Sequence, residues 1–167
     1  TVFIEPVALA LSRKAGRPVK IVMSREEVFK ASGPTASTSM RVKIGVTNDG
    51  RMTACDGEFR LQGGAFEGSP FDSAAMTAFA CYDLENVKSV AFDVVVNRPK
   101  GAAYRAPGAP MSVYGVESVV DEVALKIGMD PIEFRLKNAV RDGSQSSYGP
   151  KFGPNGLVET LEAAKAH

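Results

Sequence analysis

The sequence predicts an α+β fold: helices packed on a mixed sheet that contains a long antiparallel hairpin. Three observations carry that expectation. Apolar and polar residues alternate from Met40 to Leu61 around one turn signal, Asn48-Asp49-Gly50. Apolar residues recur at three- and four-residue steps from Val113 to Ile127. The chain has 167 residues, 44% hydrophobic and 23% charged, enough for one domain with a proper core.

Taken in order, a first helix starts near Glu5, with Pro6 in its first turn, Arg13 and Lys14 in its last, and Gly16 to end it. Its middle, Val7 to Leu11, is apolar all round and is expected to be buried on more than one face. A strand is expected from about Val19 to Met23, then a short helix in which Ser24 and Glu27 have capping-box spacing. On the first hairpin strand Met40, Val42, Ile44 and Val46 share one face, with Arg41, Lys43 and Thr47 on the other. Asn48, Asp49 and Gly50 all tolerate positive φ, and Thr53, Cys55, Phe59 and Leu61 mark the return strand. "LQGGAFEGSPFDSAAMTAF" reads as irregular; the next strand places Val90, Phe92, Val94 and Val96 on one face. Pro110 announces a long amphipathic helix carrying Val113, Val116, Val120, Val123 and Ile127, closed by Gly128. Asp130-Pro131-Ile132-Glu133 opens another helix, "YGPKFGPNG" is a loop, and a last helix runs from Leu157 to Ala166.

Composition removes several functions. Twenty basic and nineteen acidic residues leave a net charge of +1 with no basic cluster, so nucleic acid is not expected as a partner. No apolar run approaches the roughly 18 residues of a membrane span. Cys55 and Cys81 are far apart and His167 is the sole histidine, so no cysteine/histidine metal site or histidine base is expected; buried free thiols in a reducing, cytoplasmic setting are. The chain begins at Thr1-Val2-Phe3 rather than Met and stops within a helix. It is expected to be a piece of a longer subunit, residues 1–167 forming a single domain or a fragment of one.

The stretch "GAAYRAPGAP", Gly101 to Pro110, has few large side chains and leads into a helix N-terminus. Small residues there let the main chain approach a ligand and offer N–H groups to a polar or anionic one. A tight turn packed under the next helix has the same composition, and a lone Arg105 is equally consistent with a surface ion-pair partner. No G-x-x-x-x-G-K-S/T or G-x-G-x-x-G occurs, which weighs against a nucleotide-binding domain.

The segments "EPVALALSRKAGRPVKIVMSREEVF", "VKIGVTNDGRMTACDGEFRLQGGAF", "CYDLENVKS", "GAAYRAPGAP" and "VVDEVALKIGMDPIEFRLKNAV", in series, resemble the molybdenum-binding large subunit of the xanthine dehydrogenase and aldehyde oxidase family. The resemblance implies a molybdenum–pterin cofactor, usually the cytosine dinucleotide form in bacteria, with FAD and iron–sulfur centres on partner domains or subunits. It implies that Ala103, Tyr104 and Arg105 lie on the loop passing beside metal and pterin, and that Gly63, Gly64 and Phe66 belong to a glycine-rich bend on the same side; a simple strand-end bend is the other reading of "GGAF". Glu67 falls where the family has no catalytic carboxylate.

The departures are informative. A further glycine-rich "GGxFGxK" cofactor loop and the family's general-base glutamate have no counterpart here, so this chain is expected to hold one wall of a site, with no catalytic residue of its own and no activity alone. Pro107 stands where purine-oxidising members carry a stacking phenylalanine, and Ser73 near where they carry an orienting arginine. An aldehyde, a non-purine N-heterocycle or another small carbon centre is the expected substrate class. The alternative is a non-catalytic assembly domain that kept the fold without cofactor; an unobstructed Ala103-Tyr104-Arg105 loop argues against it.

Overall fold

In the computed structural model, which describes residues 4–167, the alternating pattern becomes a hairpin of β1 (Thr38–Val46) and β2 (Met52–Gly64). The two pair antiparallel, and β3 (Asn86–Val95) joins β2 in parallel, giving a mixed sheet in the order β1-β2-β3. At the turn, Gly50 N donates to Thr47 O and Thr47 N to Arg51 O, with a register shift at Gly45/Val46. Only Gly50, at φ 83°, takes the left-handed conformation; Asn48 and Asp49 do not need it. Thr1-Val2-Phe3 lies outside the described residues.

Six helices occur among the described residues: α1 (Glu5–Ala15), α2 (Arg25–Ala31), α3 (Phe71–Thr77), α4 (Ala109–Lys126), α5 (Pro131–Asn138) and α6 (Leu157–Ala166). Local chemistry sets their ends. Ser24 and Glu27 form the expected capping box on α2, Asp130 accepts from Ile132 N and Glu133 N at the start of α5, and Gly16 closes α1 in the left-handed region. The core lies where α3 and α4 cover one sheet face, with Phe59, Leu61, Phe79, Val116, Val120 and Phe134 fully buried. Burying side chains of this size contributes about 1.5–3 kcal/mol each.

Three sequence expectations need correction and two are refined. Residues 19–23 form no strand, because among the described residues no neighbouring strand completes a ladder with them. No residue of α1 is buried, and Leu9 is 73% exposed; an all-round apolar helix needs a second packing surface, which the described residues do not supply. On β3 the apolar set Val90, Phe92 and Val94 points away from the helices. The core-side positions are Val87 and Ala91, which register with Cys55 and Phe59, while Ser89 Oγ donates to Ala75 O of α3. Finally, the "irregular" stretch contains α3, and the buried stripe of α4 runs through Ser112, Val116, Val120 and Ala124, with Val113 and Val123 half-buried at its margins.

One buried amide ties the hairpin turn to α5. Asn138 Oδ1 accepts from Met52 N at 2.8 Å, and its Nδ2 donates to Gly50 O at 2.9 Å and Phe134 O at 2.8 Å. Asn138→Ala strands buried backbone partners, each costing about 1–3 kcal/mol. The variant is expected to lose at least about 2 kcal/mol in urea unfolding; a loss within the experimental error would remove this role.

Candidate functional site

The segment after β3 is built as a clamped loop. Val96 N donates to Gly64 O, Ala65 N to Arg98 O and Gly101 N to Gly63 O, each at 2.9 Å, so the glycine bend at the end of β2 runs along the base of the loop. On its other side Ala102 N donates to Pro34 O at 2.9 Å. Gly64, at φ 89°, sits so close that a Cβ would lie 2.3 Å from Pro99 O. At the far end Gly108, at φ 92°, packs on the start of α3, and a Cβ there would lie 2.5 Å from Pro70 O. Both positions exclude any side chain.

Between these clamps the backbone is open. Among the described residues, the N–H groups of Ala103, Tyr104, Arg105 and Ala106 donate to nothing within the chain, and all four residues are exposed. Ala106 has φ 53°, the only left-handed non-glycine residue among those described. Such strain costs about 1–3 kcal/mol and persists only where the surroundings impose it. Arg105 makes no ion pair or hydrogen bond within the described residues. The Tyr104 hydroxyl lies 3.5 Å from Met111 Sδ. Beside the loop is a groove of about 510 Å³, with Val28, Phe29, Pro34, Ala102, Ala103 and Tyr104 in its wall.

The fold therefore brings Gly63 and Gly64 against the base of the segment that carries Ala103, Tyr104 and Arg105. Phe66 follows on the bend and is 72% exposed, as is its neighbour Glu67 in kind. Composition alone did not single out Asp93, which sequence distance separates from the bend it braces. The Asp93 carboxylate accepts from Gly68 N at 2.5 Å and Ser69 N at 3.2 Å. Burial raises its pKa, but the Gly68 and Ser69 hydrogen bonds and the charge of nearby Lys100 outweigh burial and leave it below the usual range. A lowered folded-state pKa gives stability that is present above the ordinary Asp value and is lost as pH falls through the lowered one. The stability gap between wild type and Asp93→Asn is thus expected to shrink below about pH 4; a gap in thermal midpoint that stays constant with pH would contradict it.

The two thiols differ: Cys55 is buried as expected, whereas Cys81 is exposed, contrary to the expectation of two buried thiols. Burial pushes Cys55 up to about 12, and partial burial followed by the charge of Glu117 raises Cys81. Slow reaction of Cys55 with a disulfide reagent at pH 8, and faster reaction of Cys81, is the expected result; rapid modification of Cys55 in the folded protein would contradict it. Among the described residues, no three His, Cys, Asp or Glu side chains gather as a metal cluster.

Fold and loop together define an α+β module with a small-residue loop whose main-chain N–H groups are unpaired among the described residues. The chain belongs to the molybdopterin cofactor-binding domain family, whose model matches residues 1–139. It is 33% identical to the xanthine dehydrogenase molybdenum-binding subunit of Escherichia coli O157:H7 over 96% of this chain and 22% of that protein. It is also 33% identical to the nicotinate dehydrogenase large molybdopterin subunit of Eubacterium barkeri, over 89% of this chain and 36% of that one. The chain therefore spans well under half the length of these relatives. The aldehyde oxidoreductase of Desulfovibrio gigas superposes with a TM-score of 0.82 over 99% of this chain and 19% of that one, at 24% identity, a likeness of fold.

Proposed function

We propose that the chain forms one wall of the molybdenum–pterin site of a hydroxylase, with Ala103, Tyr104 and Arg105 facing the cofactor and Gly63, Gly64 and Phe66 on the bend that supports them. The observation that carries this reading is the run of four unused N–H groups, from Ala103 to Ala106, on a loop held at both ends. Unused, preorganised donors suit the oxygens of a bound cofactor, and the Ala103 methyl leaves room for its approach. Arg105 adds a planar cation with five donors and, among the described residues, no competing partner. When bound, the molybdenum group supplies the two-electron oxidation of a substrate carbon, with water as the oxygen source. The chain's own part is to bind, orient and screen from water.

The finer reading follows the resemblance: the cytosine dinucleotide form of the pterin, FAD and iron–sulfur centres on partner domains or subunits, the remainder of the large subunit as immediate partner, and a cytoplasmic enzyme. No helix among the described residues is long and apolar enough to cross a membrane. Metal and pterin analysis of the full-length protein tests the core of it. About one molybdenum and one pterin per full-length chain are expected, with cytidine monophosphate released on acid hydrolysis; absence of both metal and pterin would overturn the reading.

Substrate choice follows from Pro107 and Ser73. Proline has no π-face, and aromatic stacking is worth roughly 0.5–1.5 kcal/mol beyond burial. Without that wall or an orienting cation, a purine is handicapped more than an aldehyde or a simple heterocycle. Across a panel of such compounds, xanthine is expected to have a lower kcat/KM than the best aldehyde or N-heterocycle; xanthine as the best substrate would refute this.

A further inference from the structure

One of the clamps on the loop comes from the short turn after α2. Ala102 N donates to Pro34 O at 2.9 Å, one residue before the first of the open N–H groups. Its neighbour Gly33 leaves no room for a side chain: a Cβ there would lie 2.5 Å from Lys100 O, 2.6 Å from Ala102 Cβ and 2.9 Å from Ala102 N. Gly33 has no positive φ, so an alanine would meet this contact and no conformational penalty. Pro34 holds its own φ at about −65°, which limits where its carbonyl can point.

The turn gives the core little. α2 buries none of its residues, and Pro34 is exposed. What tethers the turn is local: Ser24 and Glu27 cap the start of α2, and at its end Ser32 N donates to Val28 O at 3.1 Å. Gly33, Pro34, Ala103 and Tyr104 line one groove, so turn and loop meet along it. The clamps at Gly64 and Gly108 fix the two ends of the loop, whereas the bond at Ala102 fixes the peptide plane next to Ala103. Each rigid peptide is joined to the next through only two soft dihedrals, so turning that plane re-aims the donors that follow it.

We propose that Gly33 is a positioning residue: through Pro34 O and the Ala102 N–H it sets the direction of the N–H groups from Ala103 to Ala106, and so the pose of the group they hold. The role rests on the molybdenum–pterin reading for what that group is; the mechanical link to the loop stands without it. Hydrogen exchange in the full-length protein, resolved to Ala102 by overlapping peptides, reads the link with no need of activity. Gly33→Ala should speed exchange at Ala102 by about tenfold or more, the loss of one hydrogen bond, and leave β2 as protected as in wild type. Gly153→Ala, with nothing within 4 Å of its Cβ position, should match wild type throughout. On the same samples, turnover per chain should fall about tenfold in Gly33→Ala at unchanged KM, through lower molybdenum content or a lower kcat per metal, because misaimed donors lose the pose rather than the affinity for substrate. Unchanged exchange at Ala102 overturns the link. Faster exchange with wild-type turnover and wild-type molybdenum content overturns the positioning role. Wild type without molybdenum or pterin would sink the cofactor reading instead, and the link is then judged on exchange alone. Pro34→Gly adds no atom and frees the carbonyl, so it covers the case in which Gly33→Ala fails to fold. It too should speed exchange at Ala102, and exchange equal to wild type overturns the proposal.

Discussion

Gly108→Ala is expected to be a severely destabilising single-methyl change. At φ 92° an alanine meets the ordinary penalty of a conformation that L side chains rarely adopt, about 1–3 kcal/mol. The added Cβ would also lie 2.5 Å from Pro70 O and 2.7 Å from Ala74 N, both backbone atoms of the α3 start, which cannot rotate aside as a side-chain tip can. Relieving that contact means separating α3 from α4, and these two helices together roof the core over Phe59 and Leu61. A loss of more than about 4 kcal/mol is expected in urea unfolding, the range reserved for strain combined with overpacking. Gly143→Ala is the internal control. Gly143 has φ 80° but open space around its Cβ position, so only the conformational penalty applies. Similar losses for the two variants would mean that the close approach at Gly108 contributes nothing.

The same contrast between local and tertiary causes explains what the sequence reveals. Ser24 with Glu27, Asp130 with Pro131, Gly16 and the Asn48-Asp49-Gly50 turn act within a few residues of themselves, and their sequence readings match the helix ends and hairpin observed. The α3 segment, Phe71–Thr77, carries no long apolar stripe; it is helical because Ala74, Ala78 and Phe79 find places in the core beneath Gly108. For β3, alternation defines two faces but not which one turns inward, and the parallel register with β2 decides that in favour of Val87 and Ala91. Residues 19–23 and the apolar α1 have the composition of packed elements, yet their packing surface is not among the described residues. In the loop, smallness was legible; the freedom of four consecutive amides and the positive φ of Ala106 were not, since both arise from clamps at Gly64 and Gly108.

Arg105→Ala in the full-length protein separates a working loop from a decorative one. Arg105 is exposed and makes no contact with an acidic side chain or carbonyl among the described residues, so removing it should change stability by no more than about 1 kcal/mol. If its guanidinium addresses the cofactor or an anionic group beside it, the alanine variant loses a preorganised charged donor. Losses of that kind lower turnover by on the order of 10²-fold. The kinetic split carries the mechanism: a fall in kcat and kcat/KM together marks an interaction realised in the transition state, whereas a rise in KM alone marks simple substrate binding. Molybdenum content measured on the same sample distinguishes lost positioning from lost cofactor. Arg105→Lys should recover only part of the rate, because an ammonium restores charge but not the planar fork. Turnover of Arg105→Ala equal to wild type, at equal metal content, would return Arg105 to the role of a solvated surface cation.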